Sequence, residues 1–271
     1  MKVQTLVFLS AIFSTTLSFG HGDEDHPDVE IHRFEHGETW ANCSFVIHSS
    51  LTQSEFQRFN REAGSIIYFQ PLSGASNLGK GKFNLSFAMS NTPIDQSSGA
   101  WNNTFAHPIE ESGEDPHWLG PKVNIPNLRF RYALTDQIEM GSYITKDPAA
   151  NYGFYGFDFK YSEIASCLNG VQVAARVSHS RMFGPEDLRL SNTSADLLAS
   201  KKWDWLEPYL GGSVGYNQTK ETTSKVSLQT ARNLSPRILI GTKVDFKFMS
   251  ASVEYDLSQV RTFSFKLGAS F

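Results

Sequence analysis

Long runs of period-two alternation, repeated from about residue 64 to the end, constrain this chain more than any other feature. In Lys82–Ser90, Phe83, Leu85, Phe87 and Met89 alternate with Lys82, Asn84, Ser86, Ala88 and Ser90. The same holds in Asn127–Leu134, where Leu128, Phe130, Tyr132 and Leu134 oppose Arg129, Arg131 and Ala133. In Tyr152–Tyr161, Tyr155, Phe157, Phe159 and Tyr161 oppose Gly156, Asp158 and Lys160. Val171–Ser178, Ile238–Phe248, Ser250–Leu257 and Arg261–Phe271 continue the pattern. Successive side chains of a strand point to opposite faces, so each run reads as a strand with one apolar and one polar face. Segments 137–145, 188–200 and 208–217 fit less well. The 188–200 pattern changes phase midway, which predicts a bulge.

So many two-faced strands make an all-β protein, either a sandwich with its apolar faces inward or a membrane barrel with them outward. Three features favour the barrel. Several runs reach the ~9–11 residues that a tilted strand needs to cross a bilayer. The connections 91–122 and 218–235 are long and polar while 134–137 and 248–249 are tight, and the strand order puts the long ones on one side. The chain also closes on "RTFSFKLGASF", in which Phe263, Phe265, Leu267, Ala269 and Phe271 share a face. Composition permits this. Mean hydropathy is -0.31, and beyond the N-terminus no stretch approaches the ~20 apolar residues of a membrane helix. A net charge of -4 gives no electrostatic case for nucleic acid as a partner.

The N-terminus has its own organisation. Lys2, the apolar run Leu6–Phe13 and the small residues around Ser18-Phe19-Gly20 form a cleavable export signal over residues 1–20, with no lipid-anchor cysteine after it. Residues 21–38 hold seven acidic residues and four histidines and read as a solvated tail. Thr52 to Ala63 reads as a helix. Thr52 and Glu55 form a capping box, Phe56 and Phe59 share a face, and Gly64 closes it. The expected division is an export signal (1–20), an acidic, His-rich periplasmic segment with a short helix (21–63) and the barrel (64–271).

The C-terminal alternating strand ending in an aromatic resembles the last strand of bacterial outer-membrane β-barrels. "SEFQRFNREAGSIIYFQPLSGASNLGKGKFNLSFAMS" (54–90) and "IPNLRFRYALTDQIEMGSYIT" (125–145) resemble the helix, Leu-Gly turn and early hairpins of a group of uncharacterised proteobacterial outer-membrane proteins. The resemblance covers about residues 54–271. It implies an antiparallel up-and-down transmembrane β-barrel in the outer membrane. Its partners would be outer-membrane lipid and, through the last strand, the barrel-assembly machinery. The last strand would close the barrel against the first. The resemblance implies no activity. Ten strands are countable after residue 80; Ser65–Phe69 and Ser44–His48 would make twelve. Either even count places both termini in the periplasm.

The polar faces carry Arg129, Arg131, Glu139, Asp158, Lys160, Arg176, Lys243, Asp245, Lys247, Glu254, Asp256 and Lys266, the candidate lumen lining. Two readings stand side by side: a water-filled, weakly selective pore for small polar solutes, or a packed lumen whose charges pair. Barrels of about eight strands are filled and those of about sixteen are open, so ten to twelve leaves both standing. Function divides accordingly between a porin-like or solute-binding barrel and a structural or surface-interaction barrel. In the second case the loops, with Trp101, Phe105 and Trp118, would meet partners. A secreted β-sandwich binding module is a further alternative.

No cofactor is implied. His21, His26, His32 and His36, with Asp23, Asp25 and Glu30, are chemically suited to a transition metal but lack imposed geometry. Ser178-His179-Ser180 puts histidine and serine on opposite strand faces, which defeats a nucleophile–base pair and argues against an enzyme. Cys43 and Cys167 are both expected on the periplasmic side, either as a disulfide or as two thiols. Asn-x-Ser/Thr triplets begin at Asn42, Asn84, Asn102, Asn192, Asn217 and Asn233.

Overall fold

The computed structural model describes residues 32, 40, 42–107, 121–167 and 170–271. Its elements are β1 (Ser44–Phe45), α1 (Gln53–Ile66), β2 (Phe83–Pro93), α2 (Gly99–Asn102), β3 (Phe105–Ala106), β4 (Lys122–Ala133), β5 (Ile138–Lys146), β6 (Gly153–Cys167), β7 (Val171–Phe183), β8 (Leu188–Lys201), β9 (Leu206–Glu221), β10 (Ala231–Phe246), β11 (Met249–Asp256) and β12 (Thr262–Ser270). Ten of these strands, β2 and β4 to β12, form one closed barrel. Each pairs antiparallel with its sequence neighbour, and β12 meets β2 with Phe265 opposite Met89. The closing ladder continues to Phe271, which exchanges both backbone hydrogen bonds with Phe83.

The alternation is resolved outward. Phe157, Phe159, Val177, Leu197, Val214, Ile238, Ile240, Phe263 and Leu267 are exposed, while Asn84, Asp158, Arg176, Asp196, Glu254 and Ser264 are buried in the lumen. This is the inverse of a sandwich and excludes one. The only medium that stabilises a continuous apolar exterior of this kind is lipid, and a closed sheet leaves no unpaired edge within it. Trp203 and Trp205 stand exposed at the short-turn end, and Tyr216 lies toward the other. The rise along β9 between these aromatic levels, at ~3.4 Å per residue and a ~45° tilt, is about 26 Å, which matches an apolar band of about 25 Å.

The connections after β4, β6, β8 and β10 are two to four residues long. Those at the other end include 94–121 and 222–230. Long and short connections thus segregate as expected.

The barrel has ten strands, the lower of the two expected counts. Several other expectations are corrected. Ser44–Phe45 pairs with Phe105–Ala106 in a separate two-stranded sheet, and Ser65–Phe69 is the end of α1 and the start of an irregular thread. The barrel therefore begins at Phe83, not at 64. Segment 188–200 has no bulge and its register with β7 and β9 is continuous. The irregularity lies in β6 between Ser162 and Ser166, where Glu163 takes a φ of 69°. Leu188 and Leu190 break the apparent phase because they face inward onto an apolar cluster. Lys247 does not line the lumen: it is exposed in the turn after β10, with φ 54°.

The described part of the N-terminal segment, from Asn42 on, lies at the long-loop end and not at the short-turn end expected. Asn42 bonds Ala149, and His48 bonds Asn103, both in connections at the long-loop end. An even strand count puts both strand termini on one side but does not prevent a leading segment from threading back through the lumen. Residues 67–82, at ~3.3 Å per residue, reach about 50 Å, enough to do so.

This placement removes the Cys43–Cys167 pair. Cys43 is a buried free thiol at the long-loop end, with its Sγ 3.1 Å from His107 Nδ1. Cys167 pairs in register with Val171 beside the short turn at the opposite end. Burial pushes the Cys43 thiol up to about 12, leaving almost no thiolate at neutral pH. Cys43 is therefore expected to resist iodoacetamide in the folded protein. Two alkylated cysteines should appear by mass after denaturation without reductant, and a mass two hydrogens short would contradict the placement.

Candidate functional site

α1 begins as the sequence dictates. The Thr52 side chain accepts from Glu55 N, and the Glu55 carboxylate accepts from Thr52 N at 2.8 Å. The helix runs on through Gly64 because that residue is a contact and not a cap. A Cβ there would lie 2.2 Å from Asn217 Cγ on the barrel wall. Phe56, Phe59, Ala63, Ile66 and Ile67 then pack with Phe45, Trp101, Phe105, Val123, Ile125, Phe154, Met182, Leu188 and Leu190. An apolar core thus fills the long-loop half of the lumen. Trp101 also donates its ring N–H to Glu62 at 2.5 Å.

Below this core the chain runs as an irregular thread, residues 67–78. Its backbone groups have no ladder to join, and buried amides and carbonyls must find partners. The wall supplies them. Arg176 Nη2 donates to Phe69 O (2.6 Å), and Arg129 Nη1 to Gln70 O (2.7 Å). Leu72 N donates to Glu254 (3.0 Å), Ala75 N to Ser200 Oγ (2.8 Å) and Ser76 N to Glu207 (3.1 Å). Lys160 Nζ donates to Ser76 O (2.6 Å), and Leu78 N to Glu139 (2.5 Å). At Gly74 a Cβ would lie 2.2 Å from Glu207 Oε1, so only glycine lets the thread pass there.

The wall charges also pair with one another. Asp158 is gripped by Arg131 (2.6 Å) and Arg176 (2.5 Å), and Arg176 continues to Asp196. Lys160 pairs with Glu139 (2.9 Å), and Arg237 with Asp256 (2.5 Å). Lys243 and Asp245 pair at 2.8 Å nearer the short-turn rim. Lys266 is buried, with no carboxylate in ion-pair range among the described residues.

Of the twelve candidate lumen residues, eleven face inward and Lys247 does not. The sequence reading missed Asp196, Glu207, Arg237 and Tyr209. For Arg237 the signal was available, since its parity is opposite to that of Ile238 and Ile240. For Asp196 it was hidden by inward Leu198.

The other candidate groups do not converge among the described residues. Ser178 and Ser180 face the lumen while His179 faces out and bonds Thr193 at 2.8 Å. His32 bonds Asn103 and stacks on His48. His21, His26, His36, Asp23, Asp25 and Glu30 lie outside the described residues, as does Trp118. Among the described residues no group of three or more metal-binding side chains converges. Asn84, Asn192 and Asn217 are buried in the lumen.

The chain is a closed, antiparallel up-and-down transmembrane β-barrel.

No family model and no curated protein match the sequence. Solved structures similar in shape include an outer-membrane channel from Pseudomonas putida, at 9% identity and TM-score 0.45, covering 73% of this chain and 98% of that one. Ail, the attachment invasion locus protein of Yersinia pestis, has 11% identity and TM-score 0.32 over 71% and 99%. The N-terminal β-barrel domain of OprF from Pseudomonas aeruginosa has 12% identity and TM-score 0.32 over 71% and 99%.

Proposed function

We propose that this protein is an exported outer-membrane barrel that is closed at rest, with its own N-terminal segment as the plug. It then meets its partners at the mouth and outer wall and not through an open pore. The thread 67–78 carries this reading. It occupies the lumen on hydrogen bonds with seven strands, and the surrounding charges are sealed, with Glu139 at 0% and Arg176 at 1% exposure. A water column would leave those groups wet.

Export would use residues 1–20 as a cleaved signal, so the mature chain would start at His21. Assembly would begin with β12 and Phe271. A second reading, passage of small polar solutes, is favoured by one observation. The wall around the thread is polar and charged, and the thread is bonded to it by reversible contacts alone. On that reading the plug must leave before solute passes. Planar-bilayer recording decides at rest: the unaltered protein is expected to be silent, and stable unitary steps from it would overturn the closed state. N-terminal sequencing of the membrane-extracted protein checks the cleavage.

A further inference from the structure

Among the described residues, the outer wall at the long-loop end carries a cluster of cations, and strand register fixes its shape. On the lipid-facing side of β7 to β10, His179, Thr193, Tyr216 and Leu234 stand opposite one another in one row. The next row toward the long loops is Arg181, Ser191, Gln218 and Arg232. One row further out, Arg189 faces Lys220. Rows lie ~7 Å apart and strands ~4.8 Å apart, so four cations ring Ser191 and Gln218 within about 14 Å. All four are exposed.

None of the four has a carboxylate in ion-pair range among the described residues. Of the three nearby acids, one is committed elsewhere and one faces inward. Asp187 accepts from Ile47 N and pairs with Lys225, Glu186 lies in the connection above, and Glu221 shares the inward parity of Asn217 and Thr219. By contrast Lys146, at the same end, is held by the carbonyls of Ala150 and Tyr152.

Below the row of His179 and Thr193 the wall is apolar. Val177, Ala195, Val214 and Pro236 form one row, and Ala175, Leu197, Gly212 and Ile238 the next. Tyr155 stands opposite Arg181, at the level where aromatic residues mark a membrane interface. Cations above, neutral donors between them and an acyl-length apolar wall beneath match an anionic headgroup whose chains lie on the barrel.

We propose that Arg181, Arg189, Lys220 and Arg232 form a binding site for a phosphorylated lipid headgroup of the outer leaflet. The assignment of leaflet rests on the outer-membrane reading above, with the long connections outside. The site takes phosphate oxygens from the cations and sugar or ester oxygens from Ser191 and Gln218.

The test uses the full chain in zwitterionic micelles, titrated with a diphosphorylated glycolipid, its dephosphorylated counterpart and inorganic pyrophosphate. The phosphorylated lipid is expected to bind, with the R181Q/R189Q/K220Q/R232Q variant weakened at least about tenfold. The control K122Q/R261Q, exposed bases elsewhere at the same end, should bind as the unaltered chain does. Equal binding of the quadruple variant, or of the dephosphorylated lipid, overturns the site. Pyrophosphate binding as tightly as the lipid overturns the lipid assignment. If the quadruple variant does not fold, the unaltered chain still decides: its affinity must fall about tenfold between roughly 50 and 500 mM salt. Heat-modifiable gel migration reports the barrel itself, so failure of the barrel and failure of this site are separable.

Discussion

Replacing Arg176 by methionine is expected to lower the stability of the folded barrel by about 3–5 kcal/mol, the cost of breaking a buried ion pair on one side. Arg176 joins three things at once: Asp158, Asp196 and the carbonyl of Phe69. Its guanidinium also sits 4.8 Å over the Phe69 ring. Methionine keeps much of the volume and the apolar contact but leaves two carboxylates short of a charge partner. Asp158 retains Arg131, and Asp196 retains hydrogen bonds from Tyr68 and Ser213. The damage is therefore to charge balance and to the anchoring of the plug, not to a single contact. Arg131→Met should cost less, because Asp158 keeps Arg176 and Arg131 is already partly solvated, at 13%. Urea unfolding in micelles, followed by gel mobility of the unboiled protein, measures both. A change below about 1 kcal/mol for Arg176→Met would mean that the network is replaceable.

The outer wall was legible in the sequence because lipid imposes one rule on every strand. Phe157 and Phe159, Ile238 and Ile240, and Phe263 and Phe265 all obey it, whatever they sit beside. The lumen imposes no single rule, since its contents change along its length. At the long-loop end the plug is apolar, so Leu188 and Leu190 point inward and mimic a phase slip. Further down it is a bare backbone, so the wall turns charged, and Arg176 or Lys160 looks like pore lining. The plug gave no local signal. Its partners on Ala75, Ser76 and Leu78 come from β8, β9 and β5, far away in sequence, and no periodicity encodes such contacts. The helix was readable, because a capping box is local. Its depth was not, because Gly64 marks a close approach to Asn217, and a sequence does not tell an approach from a cap. The unexpected side of Cys43 has the same origin: an even strand count fixes the ends of strands, not the route of the segment before them.

Deleting residues 42–78 is expected to turn a silent barrel into a conducting one. The barrel ladders of β2 and β4 to β12 contain none of those residues, so closure through Phe265 and Met89 survives. Several wall pairs survive too, among them Lys160–Glu139 and Arg237–Asp256. What changes is the set of groups that faced the thread. Glu254, Glu207 and Arg129 lose Leu72, Ser76 and Gln70 and become hydrated, as does the inner face of Leu188, Leu190 and Val123. Exposing that apolar face lowers stability at ~25 cal/mol per Å², so the variant should unfold at lower urea while remaining heat-modifiable. Ion selectivity should be weak. Arg129, Arg131, Lys160, Arg176, Arg237, Lys243 and Lys266 face Glu139, Asp158, Asp196, Glu207, Asp245, Glu254 and Asp256, with Glu221 at the long-loop rim, so the two signs nearly balance. Gly74→Val is the minimal version. Its side chain meets a Glu207 carboxylate already fixed by Ser76 and Ser200, so the thread and not the wall must yield, and brief openings should replace steady ones. A folded deletion variant that stays silent would move the seal from the thread to α2 and β3, whose Trp101 and Phe105 belong to the same apolar core at the long-loop end.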